Sequence, residues 1–114
     1  MKQNTSKSYD IYIKDIIKSI EKIEKYINNI SKEEFIKKDL IIDAVVRNLE
    51  IIGEAVKKIP NEIKEKNKNI EWKKIAGLRD VLIHEYAGID LDIVWEIIKE
   101  KMPSFKKDIL NLNK

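Results

Sequence analysis

The sequence has no cysteine, one histidine, two prolines and three glycines in 114 residues. Without cysteine the chain has no disulfide, no thiolate metal site and no cysteine nucleophile. Such a composition fits the reducing cytoplasm, where we expect the protein to act. No apolar run approaches the ~20 residues that cross a bilayer, and the first ten residues lack the apolar core of a signal peptide. We therefore expect no membrane contact.

Arginine is also scarce, with two residues, Arg47 and Arg79, against 21 lysines. The net charge is +3, and 38% of the residues are charged. Acidic and basic residues are interspersed, so the charge permits contact with nucleic acid without demanding it. In a chain that uses lysine for general positive charge, each arginine is a candidate for a role that needs the planar guanidinium.

Apolar residues recur at three- and four-residue spacing along most of the chain, which predicts amphipathic helices. After a frayed tail (residues 1–6), a first helix is expected from about Lys7 to the asparagines at 28 and 29. Ser31 and Glu34 have the spacing of a capping box. A second helix is predicted from Asp39 to Ile59, because Pro60 ends it.

Residues 60–70 form a charged connector with about one helical turn, and a third long helix is predicted from Glu71 to Tyr86. Gly88 and Asp90 supply a stop and a new N-cap for a fourth helix, which Pro103 breaks or restarts. The sequence thus predicts one domain, residues 1–114, folded as an all-α bundle of four or five helices.

The second helix is predicted to be central, because its apolar arc is wide enough to contact more than one neighbour. Asn48 lies within that arc and needs a hydrogen-bond partner there. A narrow polar stripe occupies the other side of this helix; its members are Asp43, Arg47, Glu50, Glu54 and Lys57.

The segment around Arg79, His84 and Tyr86 combines a fixed cation, a group that titrates near neutrality and a phenol. Asp80 and His84 are four residues apart, so their side chains can meet on one helix face, where a carboxylate favours and orients the imidazolium. Gly77 shares that face and lets another backbone come close.

These groups suit RNA cleavage without a metal, in which a base removes the 2′-hydroxyl proton and an acid protonates the leaving oxygen. One Arg79 and one His84 make a small set for that chemistry, and a two-fold dimer would double it. A structural alternative remains. His84 would cap a helix dipole, Arg79 would pair with Glu50 or Glu54, and Tyr86 would pack in the core. No ligand spacing predicts a metal site.

The pattern Arg79-x4-His84-x-Tyr86 resembles the R-x4-H-x-Y signature of HEPN-domain proteins, specifically the HepT-like toxins. The likeness extends over most of the chain, including Trp72–Leu78 before the motif and Asp43–Ala55 in the second helix. The resemblance implies a HEPN-type bundle that forms a two-fold homodimer. It also implies a metal-independent ribonuclease that needs no cofactor, with the arginine and histidine of both chains at one composite cleft.

The resemblance further implies a type VII-like toxin–antitoxin pair. A minimal nucleotidyltransferase antitoxin of the MntA type would transfer AMP to Tyr86 and block the cleft. In this hypothesis Arg79, His84 and Asp80 are catalytic, Lys73 and Lys74 bind RNA, and transfer RNA is among the suggested substrates. Two alternatives stay open. One is a non-catalytic module that binds nucleotide or docks the nucleotidyltransferase, and the other is a structural helical dimer.

Overall fold

The computed structural model describes residues 9–78, 82 and 90–114. Every regular element within those ranges is helical, which confirms the all-α class for that part of the chain. The predicted tail, residues 1–6, lies outside the described residues. In chain order the elements are α1 (Asp10–Tyr26), α2 (Lys32–Phe35), α3 (Asp39–Lys57), α4 (Asn61–Lys66), α5 (Trp72–Ala76), α6 (Leu91–Glu96), a π-helical segment (Ile97–Lys101) and α7 (Met102–Leu110).

The predicted first helix is confirmed as α1, which buries the apolar side of its sequence pattern. Ile16, Ile20 and Ile23 are fully buried, as their spacing of four and three residues indicates. The helix ends where the asparagines predicted an end. Asn29 has a φ of 62°, a left-handed conformation that asparagine tolerates better than most residues.

The capping box predicted at Ser31 is present. The backbone N–H of Glu34 donates to the Ser31 hydroxyl (3.1 Å), and the N–H of Ser31 donates to the Glu34 carboxylate (2.9 Å). This pair of bonds starts α2 and holds the pKa of Glu34 below its ordinary value. The short helix places Phe35 in the core, with its ring centroid 5.2 Å from that of Trp95.

The predicted second helix is confirmed as α3, which lies at the centre of the described structure. It contacts both α1 and α5, as its wide apolar arc predicted. Its buried valine, leucine and isoleucine side chains each contribute roughly 1.5–3 kcal/mol relative to exposure. Asn48 finds its partner within the same helix, since its amide donates to the Ala44 carbonyl (2.8 Å). The buried residues of this arc are Val45, Val46, Leu49, Ile52, Ala55 and Val56.

The connector between α3 and α5 is more ordered than its charged sequence suggests, because Asn67 holds it to the end of the chain. The Asn67 side chain is 3% exposed. Its amide donates to the carbonyls of Ile63 (2.8 Å) and Asn113 (2.8 Å), and its oxygen accepts the N–H of Asn113 (2.9 Å). The indole N–H of Trp72 donates to the Asn67 carbonyl (3.0 Å). One asparagine thus connects α4, α5 and the C-terminal residues.

The predicted third helix begins as expected but is not one uninterrupted helix. The described helix α5 ends at Ala76, and Gly77 forms a turn at its C-terminus. Glycine is the weakest helix former after proline, which accounts for an interruption at this position. Leu78 and Leu82 are again helical. The predicted stop at Gly88 lies outside the described residues.

The predicted N-cap at Asp90 is confirmed, and of the two outcomes predicted at Pro103 the structure has the restart: the α-helix α7 begins at Met102 and carries the proline in its first turn. The Asp90 carboxylate accepts the N–H of Asp92 at 2.9 Å. From Leu91 the chain stays helical to Leu110, passing through the π-helical segment. There the N–H of Met102 donates to the Ile97 carbonyl, five residues back. A proline ring clashes with the carbonyl four residues earlier in a regular α-helix, and the wider π turn just before Pro103 gives that carbonyl room.

Candidate functional site

Most of the predicted catalytic motif falls outside the part of the chain that the structure describes. Arg79, Asp80, His84 and Tyr86 all lie outside the described residues. The same holds for the alternative ion pair of Arg79 with Glu50 or Glu54. The assignments to these four residues therefore stay predictions, and the described site consists of the elements that flank them.

The flanks of the motif have the orientation that the helical pattern predicts. Leu82 lies within the motif and is 3% exposed, in the core cluster. Leu78, just before the motif, is half-buried and packs against that cluster. Trp72 and Ile75 on α5 also face inward. The apolar side of the predicted third helix is therefore confirmed at each of its four described positions.

The two predicted RNA-binding lysines, Lys73 and Lys74, lie on the exposed side of α5. Lys74 forms an ion pair with Glu71 (2.9 Å), and this contact lowers the pKa of the Glu71 carboxyl. Both lysines line a groove of about 470 Å³ between α4 and α5. Their ammonium groups can thus reach a phosphate chain that enters the groove.

Gly77 does not serve a close approach within the described part of this chain. Its φ of −76° and ψ of −10° are ordinary helical values. A Cβ built there would meet only carbonyl oxygens of the preceding turn, those of Lys73 (3.4 Å) and Lys74 (3.6 Å). These are ordinary contact distances, so the described fold does not itself require glycine at this position.

The second arginine, Arg47, is exposed on α3 and lines a different groove, between α1 and α3. That groove has a volume of about 370 Å³ and a mixed charge, since its lining includes two basic and three acidic residues: Arg47, Lys58, Asp15, Glu50 and Glu54. The predicted polar stripe of α3 is confirmed, since none of its five members is buried. Its charges of both signs do not favour a polyanion.

Neither a metal-binding cluster nor a membrane-spanning helix is found among the described residues. No group of three or more histidine, cysteine or acidic residues is placed there to hold a metal ion. None of the described helices combines the length and the apolar character that crossing a bilayer requires.

Sequence reasoning missed two features that the structure places beside α5. Lys64 and Lys68 form the second wall of the α4–α5 groove. Lys64 lies in α4 and Lys68 in the turn that follows it, so the available signal was only the run of lysines at 64, 66 and 68 in the charged connector. Asn67 had no such signal, because its side chain bonds to Asn113, 46 residues away.

The chain is similar to several proteins whose names describe ribonucleases. A family model described as "Ribonuclease HepT-like" matches residues 16–112. The protein named "Probable ribonuclease HepT" from Thermococcus cleftensis is 42% identical over 108 residues, which cover 95% of this chain and 98% of that protein. "Putative RNase TTE0752" from Caldanaerobacter subterraneus is 44% identical over 98 residues, covering 86% and 88% of the two chains.

A third relative is longer than this chain. "Gamma-glutamylcyclotransferase and putative RNase MJ0434" from Methanocaldococcus jannaschii is 42% identical over 106 residues, which cover 93% of this chain. The match spans about half of that relative, 48% of its length. No solved structure matches the chain. The family match covers most of the sequence, including the whole Arg79–Tyr86 segment, and the chain therefore belongs to the ribonuclease HepT-like family.

Proposed function

We propose that the protein is a metal-independent ribonuclease and the toxin of a toxin–antitoxin pair. One observation carries the proposal: the family match spans residues 16–112 and so includes Arg79, His84 and Tyr86. The names of the relatives above describe ribonucleases, which supports RNA as the substrate. The chemistry of the three side chains supports the same conclusion independently.

In the proposed reaction the ribose 2′-hydroxyl attacks the adjacent phosphorus, and the bond from phosphorus to the 5′-oxygen breaks. His84 moves the proton, and Arg79 stabilises the charge that builds on the phosphoryl oxygens. Asp80 orients His84 from one helical turn away. The products carry a cyclic phosphate on one side and a free 5′-hydroxyl on the other.

We propose a two-fold homodimer as the active form. General acid–base cleavage needs a base and an acid, and the chain has a single histidine. Two protomers that meet at the predicted third helix, which carries Arg79 and His84, would supply two imidazoles and two guanidinium groups to one cleft. Gly77 supports this arrangement, because the described fold of one chain gives it no other steric reason to be glycine.

Lys73 and Lys74 are proposed to hold the RNA backbone beside the cleavage site. Both are exposed on α5, the helix that leads into the motif, and both line the groove between α4 and α5. Their contribution is electrostatic and independent of base sequence, as expected of lysine contacts to phosphate.

Tyr86 is proposed as the off-switch. A nucleotidyltransferase antitoxin would transfer AMP to its hydroxyl, forming a phosphodiester and releasing pyrophosphate from ATP. The added anion would lie two residues from His84 and would compete with RNA phosphate for the Arg79 guanidinium. This proposal explains why a phenol accompanies the other two groups in the motif.

The experiment is expression of the protein alone and together with its antitoxin in a bacterial host. Wild-type protein alone is expected to arrest growth, and Arg79→Ala and His84→Ala are each expected to relieve the arrest. Arg47→Ala is the matched control, since it removes the other arginine from an exposed position on α3 and should leave toxicity unchanged. Full toxicity of His84→Ala would refute its catalytic assignment.

The mass of the intact protein separates the toxin from the non-catalytic docking module. After co-expression with the antitoxin, a shift by one or more AMP units is expected for the wild type and not for Tyr86→Phe. A tight complex without any mass shift, from a protein that leaves RNA intact, would favour the docking module instead.

A further inference from the structure

The groove between α4 and α5 has lysines on both walls. Lys64 and Lys68 line one side, and Lys73 and Lys74 line the other. We propose that this groove binds the phosphate backbone of single-stranded RNA beyond the scissile bond, with Lys64 and Lys68 as additional phosphate-binding residues. The inference rests on the proposed ribonuclease function, and it adds two residues and a path for the substrate strand.

The charge of the groove favours a polyanion. Its lining includes four lysines and two glutamates, which gives a net charge of +2. Glu71 is already occupied by its ion pair with Lys74 at 2.9 Å. Three ammonium groups therefore face the groove against one remaining carboxylate, that of Glu65.

Lys64 is a partly desolvated cation in this groove. Burial lowers the pKa of its ammonium, because part of its hydration is removed. Within the described part of the chain, no carboxylate lies within ion-pair distance of its Nζ to compensate. A phosphate oxygen in the groove would supply that missing negative charge.

The two walls are held together by hydrogen bonds, so the lysines project from a fixed frame. The Trp72 indole N–H, on α5, donates to the Asn67 carbonyl at 3.0 Å. The Asn67 amide in turn donates to the Ile63 carbonyl on α4 at 2.8 Å. Because all three residues are buried, the backbone of the groove is already ordered before a ligand binds, which lowers the entropic cost of binding.

The groove also lies close to the predicted cleavage site along the chain. Lys74 is five residues before Arg79. Even a fully extended chain would separate their Cα atoms by at most about 18 Å. A single RNA strand can therefore contact the groove and the motif together.

The test measures RNA affinity as a function of salt, in a His84→Ala background that leaves the RNA uncut. For single strands the slope of log affinity against log salt falls by about 0.7 for each phosphate that the protein no longer neutralises. Lys64→Gln with Lys68→Gln is expected to reduce the slope by about 1.4. Lys14→Gln with Lys18→Gln is the matched control. It removes two exposed lysines, also four residues apart, from α1 and should leave the slope unchanged.

Equal slopes for the two double variants would overturn the assignment of the groove, while the ribonuclease function would stand. Failure of the proposed function looks different: the wild-type protein would not cut RNA, and the His84→Ala protein would not bind it. In the otherwise wild-type enzyme, the Lys64/Lys68 double variant should raise KM and leave kcat unchanged. A fall in kcat with KM unchanged would also contradict a binding role.

Discussion

Replacing Asn67 with alanine should destabilise the protein more than any other substitution of a polar residue in the connector. The side chain is 3% exposed and forms three hydrogen bonds, to the Ile63 carbonyl and to both backbone groups of Asn113. Alanine removes all three and leaves the buried Ile63 carbonyl without this donor.

The size of the effect follows from the surroundings of each bond. A typical protein hydrogen bond contributes about 0.5–1.5 kcal/mol net, and an orphaned buried group costs about 1–3 kcal/mol. The bond to Ile63 is buried, so its removal should cost the full amount, whereas Asn113 is exposed and water can take the place of the Asn67 amide there. We expect a total of about 2–3 kcal/mol, which lowers the melting temperature by about 8–12 °C in a chain of this size.

The assay is urea unfolding followed by circular dichroism, with Asn113→Ala as the matched control. Asn113 takes part only through its backbone N–H and carbonyl. Its replacement by alanine should keep both bonds and cost less than about 0.5 kcal/mol. Equal destabilisation by the two variants, or a cost below about 0.5 kcal/mol for Asn67→Ala, would refute this explanation of the connector.

Two further predictions concern Gly77 and Glu34. Gly77→Ala should stabilise the isolated chain by about 0.4–1 kcal/mol, because its backbone is helical and the new Cβ has room. The same variant should lose ribonuclease activity and dimer affinity in sedimentation runs if two copies meet there, and full activity would contradict that contact. The hydrogen bonds from Ser31 lower the pKa of Glu34 in the folded protein. The ionised carboxylate therefore stabilises the folded state at a pH above the ordinary glutamate pKa, and this contribution is lost as the pH falls through the lowered pKa. The melting temperature of the wild type should therefore fall more steeply with decreasing pH than that of Glu34→Gln. Parallel plots of melting temperature against pH for the two proteins would contradict the capping box.

The helices that sequence reasoning predicted well are those with local signals. Helix α1 has its periodic isoleucines, and α6 has the Asp90 side chain that caps its first turn. The capping box at Ser31 is specified by residues three apart. Such signals act within one or two turns, so the sequence shows them directly.

The features that sequence reasoning missed depend on residues far apart in the chain. Asn67 looks like one more polar residue of a charged connector until Asn113 is placed against it. The π-helical segment before Pro103 satisfies two opposing requirements. A continuous helix keeps Ile98 and Met102 buried, whereas the proline ring is incompatible with a regular α-helical turn before it. Neither outcome follows from local propensity, because burial decides both.

The candidate site was predictable in part. The pattern around Arg79 and His84 predicted the family, which the comparison confirms. The groove lysines Lys64 and Lys68 were not singled out, because it is the path of the chain from α4 through the turn to α5 that places them in one groove with Lys73. A helical wheel places side chains on one helix, whereas a groove needs the relative position of two helices.

Incubation of the purified protein with single-stranded RNA in excess EDTA tests the central proposal most directly. Wild-type protein is expected to cut the RNA at full rate, leaving cyclic phosphate and 5′-hydroxyl ends, and His84→Ala is expected to leave it intact. Cleavage that stops in EDTA, or that persists in the His84→Ala protein, would contradict the proposal.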